Sequence, residues 1–189
     1  GNISIMSVLV DDALWPWRGA LWAHLVSDES VAELHAFAER LGLRRMAFQG
    51  DHYDVSADVR ERALTLGAQA VRGRELVRRL RSAGLRLDPH DRPGKWVEVW
   101  RCSPTGFKPD LMVEVPAPLD GAVSAVDADW GSAEVVVYER PVGSAREVVV
   151  VVEDASGVFL SDVALDKVEV WRHDDCRVEL LVRIPAVIR

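Results

Sequence analysis

Hydrophobic periodicity changes partway along this chain, and that change limits the folds open to it more than any other feature. Between residues 6 and 86, apolar stripes at helical spacing alternate with short apolar runs; from residue 96 onward only strand-like runs remain. A helix buries every third or fourth residue and a half-exposed strand every second, so the two patterns build different layers. Leu87-Asp88-Pro89-His90-Asp91-Arg92-Pro93-Gly94-Lys95 separates them, rich in residues that interrupt regular structure. The expected organisation is an α/β domain over 6–86, a linker over 87–95 and a β-rich domain over 96–189. Gly1 to Ile5 precede a Met6 that reads as a natural start, so residues 1–5 are set aside as an added tail.

In the first part, Ser7-Val8-Leu9-Val10 reads as a buried strand that delivers Asp11 and Asp12 at its C-terminal end. Residues 13–26, with Trp15, Pro16, Trp17, Gly19 and Trp22, are ambiguous. Ser30 and Glu33 match a capping box ahead of Val31, Leu34, Ala38 and Leu41, and Gly42 suits the left-handed cap that ends such a helix. Met46-Ala47-Phe48 reads as a second strand, and Ser56 caps a second helix with Val59, Ala63 and Leu66 inward. Ala70-Val71 reads as a third strand, and a third helix covers 74–83. This β-α-β-α-β-α order predicts a short parallel sheet in a small two-layer or three-layer α/β domain.

The second part carries six β-branched or alternating runs, at 96–101, 111–115, 134–138, 148–152, 168–172 and 178–184. They predict an antiparallel β-sandwich or barrel-like domain. Val97-Glu98-Val99-Trp100-Arg101 recurs as Val168-Glu169-Val170-Trp171-Arg172, each followed by a segment ending in proline, at Pro116 and Pro185. A duplicated hairpin and a chance recurrence of good strand formers both account for it.

Charge separates the halves as well. Residues 1–87 hold 12 Arg, no Lys and 11 acidic residues, a balance of +1, whereas residues 88–189 hold 11 basic and 19 acidic residues, a balance of -8. The acidic half argues against wrapping nucleic acid, which clustered cations drive. No apolar run approaches the ~20 residues of a membrane helix. There is no leader pattern, and Cys102 and Cys176 do not make a disulfide framework, so a cytoplasmic protein is expected. GxGxxG, GxxxxGK[ST], HExxH and GxSxG are all absent, which sets aside dinucleotide, P-loop, zincin and hydrolase-elbow readings.

The chemistry-bearing residues gather in the first part. His24, His35 and His52 lie among Asp11, Asp12, Asp28, Asp51 and Asp54, and imidazole with carboxylate is the ligand set of zinc and other divalent hydrolytic metals. His24 and Asp28 share a face if that stretch is helical, and His35 points with the apolar stripe of its helix. Asp11-Asp12 and Asp51-His52-Tyr53-Asp54 follow the first two predicted strands, where a parallel sheet forms its crevice. A buried polar network that only fixes the fold accounts for the same residues. Arg74, Arg78 and Arg81 share one stripe of the third helix, either a phosphate-contacting ridge or a solvated face paired with Glu75. Trp15, Trp17 and Trp22 either stack a base or bury a loop, and burial is the plainer expectation. Cys102, Cys176, His173 and Asp174 lack any standard zinc spacing.

Five segments together resemble a known family: His24-Leu25-Val26-Ser27-Asp28, Glu33-Leu34-His35, His52-Tyr53-Asp54, Leu66-Gly67-Ala68 and Arg74-Glu75-Leu76, behind a strand running into Val10-Asp11-Asp12. They are similar to domain-of-unknown-function family 4031, found in actinobacteria and phages, over residues 6 to about 86. The resemblance implies that His24, Asp28, His35, His52, Tyr53 and Asp54 belong to a family pattern, and it implies no activity.

The leading expectation is a metal-dependent hydrolase of a phosphoester or nucleotide-like substrate. His24, Asp28, His35, His52 and Asp54 would hold a zinc, manganese or magnesium ion. Asp11 or Asp12 would orient the ligands or act as general base, and Tyr53 would donate to the substrate. The β domain would cover the site or form a homodimer. The alternative is a non-catalytic binding or assembly module whose acidic β domain offers a sheet edge to a partner. A third reading is nucleic-acid binding through Arg74, Arg78 and Arg81, ranked last.

Overall fold

The computed structural model describes residues 7–111, 114–161 and 165–185. Residues 1–5, set aside above, lie outside that range, as do two residues of the run expected at 111–115. The chain divides after Arg92 into two compact units. Among the described residues, no helix is long and apolar enough to cross a membrane.

The first unit runs β1 (Val8–Val10), β2 (Trp15–Trp17), β3 (Ala20–Ser27), α1 (Val31–Arg40), β4 (Tyr53–Ser56), α2 (Ala57–Thr65), β5 (Gln69–Ala70) and α3 (Gly73–Ser82). Its sheet has the order β2-β3-β1-β5, with β4 also paired to β3. The mixed α/β class matches the sequence expectation, but the sheet is not the parallel one expected. Only β1 and β5 run parallel; β1–β3, β2–β3 and β3–β4 are antiparallel.

The cause lies in the stretch the periodicity left ambiguous. Arg18 (φ 49°) and Gly19 (φ 74°) both take left-handed backbone, the requirement of a two-residue turn that folds a chain back on itself. This makes a hairpin of β2 and β3, and β3 then lies antiparallel beside β1. Of Met46-Ala47-Phe48, expected to be a strand, Met46 and Ala47 fall in a short 3-10 turn over Arg45–Ala47 and Phe48 makes only an isolated antiparallel bridge to Tyr53. The strand comes instead at Tyr53, directly before the helix that Ser56 caps through Val59 N.

Helix α1 starts as expected, with Ser30 Oγ accepting from Glu33 N at 3.1 Å. The reciprocal half of the box is relayed. Glu33 accepts from Ser27 Oγ at 2.5 Å, and that oxygen accepts from Ser30 N and Glu29 N.

Strand alternation sorts the helices onto two faces. Leu9 and Val26, paired across β1 and β3, pack with Leu76 and Leu80 of α3. Tyr53 pairs with Leu25 on the other face, where its hydroxyl meets His35 of α1 at 2.8 Å. The unit therefore has three layers, α3 on one side of the sheet and α1 on the other.

The second unit contains β6 (Val97–Cys102), α4 (Leu119–Val123), β7 (Val126–Ala128), β8 (Glu134–Val142), β9 (Ala145–Glu153), β10 (Val158–Leu160), β11 (Glu169–His173) and β12 (Arg177–Pro185). The main sheet, β11-β12-β9-β8-β6, is antiparallel throughout, and β7 and β10 form a two-stranded ribbon. Val135, Val137, Val150, Leu180 and Val182 of the main sheet share one core with Leu119 and Val123 of α4 and with Val126 and Val158 of the ribbon. The sheet is open, ending at β11 and β6, so it is not a barrel. No strand is assigned to the described residues of 111–115. The echoed segments are the two edge strands: β11 pairs with β12, whereas β6 pairs with β8 rather than with a segment ending at Pro116. They do not form two copies of one hairpin.

Candidate functional site

Strand pairing builds the site. His24 lies in the middle of β3, and its cross-strand partner on β4 is Asp54. On the other side β1 ends next to it, with Asp11 N bonded to His24 O at 3.2 Å. Directly opposed residues on neighbouring strands project to the same face, so this pairing sets two carboxylates against one imidazole. Asp11 accepts from His24 N at 2.6 Å and meets His24 Nδ1 at 2.8 Å. Arg60 of α2 fixes the end of β1, donating from Nε to Asp11 O at 2.6 Å.

His52 enters from the residues ahead of β4. Its Nδ1 is 2.7 Å from Oδ1 of Asp51, whose side chain is fully buried. Both rings thus have Nδ1 engaged by a carboxylate, and both turn Nε2 towards Asp54 Oδ1, at 3.9 Å from His24 and 3.3 Å from His52. The rings are 5.3 Å apart, edge to face. Ligand atoms of His24, His52 and Asp54 all lie within 4.8 Å of one another, and all three residues are half-buried. Asp54 Oδ1 is buried and has no hydrogen bond of good geometry.

The electrostatics follow from this packing. Burial works against charge on His52, yet its hydrogen bond to Asp51, its close approach to Asp54 and the negative charge of both raise its pKa from 6.5 to about 9. Burial would likewise push the Asp51 carboxyl up. It is outweighed by the hydrogen bond from His52, the Leu87 amide at 2.9 Å, and the charges of His52 and Arg86, so Asp51 sits below the usual carboxylate range.

The remaining expected site residues lie elsewhere. His35 and Asp28 contribute no atom to the His24–His52–Asp54 group. His35 is across the sheet, bonded to Tyr53 and edge-on to Phe48 at 4.5 Å; a helix on the opposite face cannot direct a ligand to His24. Asp28 was placed beside His24 on the assumption of a helix. In a strand, four residues span ~13 Å, and Asp28 instead pairs with Arg79 of α3 at 2.6 Å. Tyr53 is fully buried and engaged by His35, so its hydroxyl does not face a substrate. Asp12 is exposed and lies 3.5 Å from Arg60.

Arg74, Arg78 and Arg81 do share an exposed stripe on α3, where Arg78 is paired with Glu75 at 2.5 Å. Trp15 and Trp17 are not buried under a loop. They are 42% and 45% exposed on the hairpin, and the Trp15 ring lies nearly parallel to that of His24, 14° and 6.1 Å apart. Cys102 and Cys176 are free thiols, and neither joins a metal-type group among the described residues. Sequence reasoning did not single out Asp51 as a partner of His52, although their adjacency was a visible signal. For Arg60, Arg79 and Arg86, which brace the site's carboxylates or its flank, the sequence offered none.

Three cavities open on this face. One of about 270 Å³ is lined by Asp11, His24, His52, Leu76 and Arg86 among others. A second of about 340 Å³ runs from Asp11 and His24 to Asp12, Trp15 and Trp22. A third, of about 560 Å³, lies along α3 at Arg74, Arg78 and Arg81. Gly73, the first residue of α3, lines all three.

Residues 8–83 match the family described as Protein of unknown function (DUF4031), so the N-terminal part of the chain carries that family's pattern and the second unit has no family match. No curated protein and no solved structure matches the chain.

Proposed function

We propose that the first unit is a metal-dependent hydrolase of phosphoester or nucleotide-like substrates, with His24, His52 and Asp54 as ligands of a divalent zinc, manganese or magnesium ion. One observation carries this reading: two Nε2 atoms converge on Asp54 Oδ1 while each Nδ1 is engaged by a separate carboxylate. That is how metal-ligating histidines are held, the second carboxylate fixing both tautomer and ring orientation. Asp54 Oδ1 is buried without a hydrogen bond of good geometry, and either a protonated His52 at 3.3 Å or a divalent ion in its place would offset its charge. Three protein ligands leave a coordination position open, as catalytic rather than structural sites do.

When bound, such an ion would lower the pKa of a water to ~7 and stabilise charge developing on a phosphoryl oxygen. The chain's own residues have distinct tasks. Asp11 and Asp51 orient the two imidazoles. Asp12, exposed on the adjoining cavity and 3.5 Å from Arg60, would act as the general base towards the attacking water. Arg86, lining the His52 cavity, supplies positive charge for the phosphoryl group.

The test is metal content together with hydrolysis of bis(p-nitrophenyl) phosphate, on protein purified without a His tag. The expected result is about one ion per chain and activity lost on chelation. A His24→Ala, His52→Ala double variant should lose both. Sub-stoichiometric metal, unchanged in that variant, would remove the proposal.

A second reading is favoured by the elevated pKa of His52. A cationic imidazole between Asp51 and Asp54 already offsets part of their charge, so the group also makes sense as a structural network in a non-catalytic binding module. In that case chelator leaves stability untouched.

A further inference from the structure

We infer that the groove formed by these three cavities takes a single-stranded polynucleotide, with a base on Trp15, the backbone across His24, His52 and Asp54, and further phosphates along Arg74 and Arg81. This rests on the phosphoester reading above and names the substrate class for it. The cavity at the Trp hairpin shares Asp11, His24 and Gly73 with the cavity at the histidines, and that one shares Gly73 and Val77 with the cavity along α3. One groove therefore joins an aromatic surface, the candidate metal ligands and a row of cations.

Each part has the chemistry of one component of a nucleic acid strand. Trp15 and Trp17 lie nearly parallel, 4° between planes, with about half of each residue exposed. Trp15 also stacks with His24 at 6.1 Å, so what remains exposed is part of an aromatic stack, a surface on which a base of any identity can lie. Arg18 lies over Trp17 at 4.4 Å, adding a cation at the same hairpin. On α3, Arg78 is neutralised by Glu75, whereas Arg74 and Arg81 have no ion pair among the described residues and stand exposed. Two unpaired guanidiniums two helical turns apart, about 10 Å, contact more than one phosphate.

A mononucleotide would use the hairpin and the histidines but would not extend along α3 to Arg74 and Arg81. A duplex hides its base faces and has none to offer Trp15. The acidic balance of the chain falls beyond residue 87, so the unit bearing the groove is not the acidic part.

The experiment measures binding of short fluorescent oligothymidylate and oligouridylate by anisotropy in EDTA, over a range of salt. Working without metal separates this inference from the hydrolase reading. Oligonucleotide binding without any bis(p-nitrophenyl) phosphate hydrolysis sinks only the hydrolase, and hydrolysis without oligonucleotide binding sinks only this. The expected result is saturable binding of either oligonucleotide, with quenched tryptophan fluorescence. Trp15→Ala should weaken it roughly tenfold or more and Trp15→Phe should restore most of it. Arg74→Gln with Arg81→Gln should lower the salt slope by about 1.4, the share of two phosphate contacts on a single strand. Trp15 and both arginines are exposed, so these variants should fold, and circular dichroism verifies it. Absence of binding, binding indifferent to Trp15, equal or tighter binding of a duplex, or thymidine monophosphate competing as well as the oligonucleotide would each overturn the inference.

Discussion

Replacing Asp51 by Asn keeps the shape of a fully buried side chain and removes its charge. Asp51 takes three contacts: His52 Nδ1 at 2.7 Å, Leu87 N at 2.9 Å and an Arg86 guanidinium nitrogen at 3.4 Å. An Asn oxygen can still accept from Leu87, but only one side of the amide can accept, so His52 meets a weaker partner or a donor. The elevation of His52 from 6.5 to about 9 gives the scale. At ~1.4 kcal/mol per unit this is about 3 kcal/mol of preference for the charged ring, shared between Asp51 and Asp54. Asp51 is the nearer of the two, 2.7 Å against 3.3 Å, so its removal should cost about 2 kcal/mol. In a unit of this size that lowers Tm by about 10 °C. The sign with pH follows from linkage. A pKa raised on folding contributes stability that is complete below pH 6.5 and is lost as pH rises through about 9. Thermal melts of metal-free Asp51→Asn and parent protein should therefore differ most at or below pH 6.5 and converge above pH 9. Metal titration of the same variant should show affinity reduced ~10–100-fold, because an unheld imidazole no longer presents Nε2 in place. Equal melting temperatures at the lower pH, or a gap that does not narrow as pH rises, would refute the account of the Asp51–His52 pair.

Two further outcomes test the division of labour. His35→Ala should lose about 1–3 kcal/mol, from the lost hydrogen bond to the buried Tyr53 hydroxyl and the lost contact with Phe48, while metal content measured by atomic emission stays at the parent level, since His35 lies across the sheet. Asp154 accepts from Ser156 Oγ at 2.8 Å, Ser132 Oγ at 2.9 Å, and the amides of Ser156 and Asp129; these bonds, Ser156 foremost, hold its carboxyl below 3.8. The stability it supplies is present above pH 3.8 and is lost as pH falls through the folded-state value, so acid titration of Asp154→Asn followed by near-ultraviolet circular dichroism should show a second unit that is weaker than the parent at neutral pH but less acid-sensitive, the two converging at low pH.

How much of this was legible in the sequence depends on whether the signal was local. The caps at Ser30 and Ser56, the three helices of the first part and most strands of the second are written in spacings of two to four residues, and the structure follows them; the short helix α4 at Leu119–Val123, in a half read as strands only, was not. The sheet keeps one parallel pair, β1 with β5, and is otherwise antiparallel, because a single two-residue turn at Arg18-Gly19 inserts an antiparallel strand into the β-α-β order. In the second half, the repeat of Val-Glu-Val-Trp-Arg is real as sequence, but it marks two edges of one sheet, and nothing local says which strand an edge pairs with.

The site shows the same limit more sharply. Its histidines and aspartates were visible as a crowd, but membership in the group was decided by register. Tyr53 and Asp54 are neighbours in sequence, yet alternation sends Asp54 to the face of His24 and Tyr53 to that of His35. A slip of one residue between β3 and β4 would exchange them and dismantle the group. The hydrophobic pairs Ala23 with Val55 and Leu25 with Tyr53, buried on the opposite face, fix that register. The core on one side of the sheet thus determines the chemistry on the other: the apolar residues between His24 and its neighbours are what bring Asp54 across to meet it.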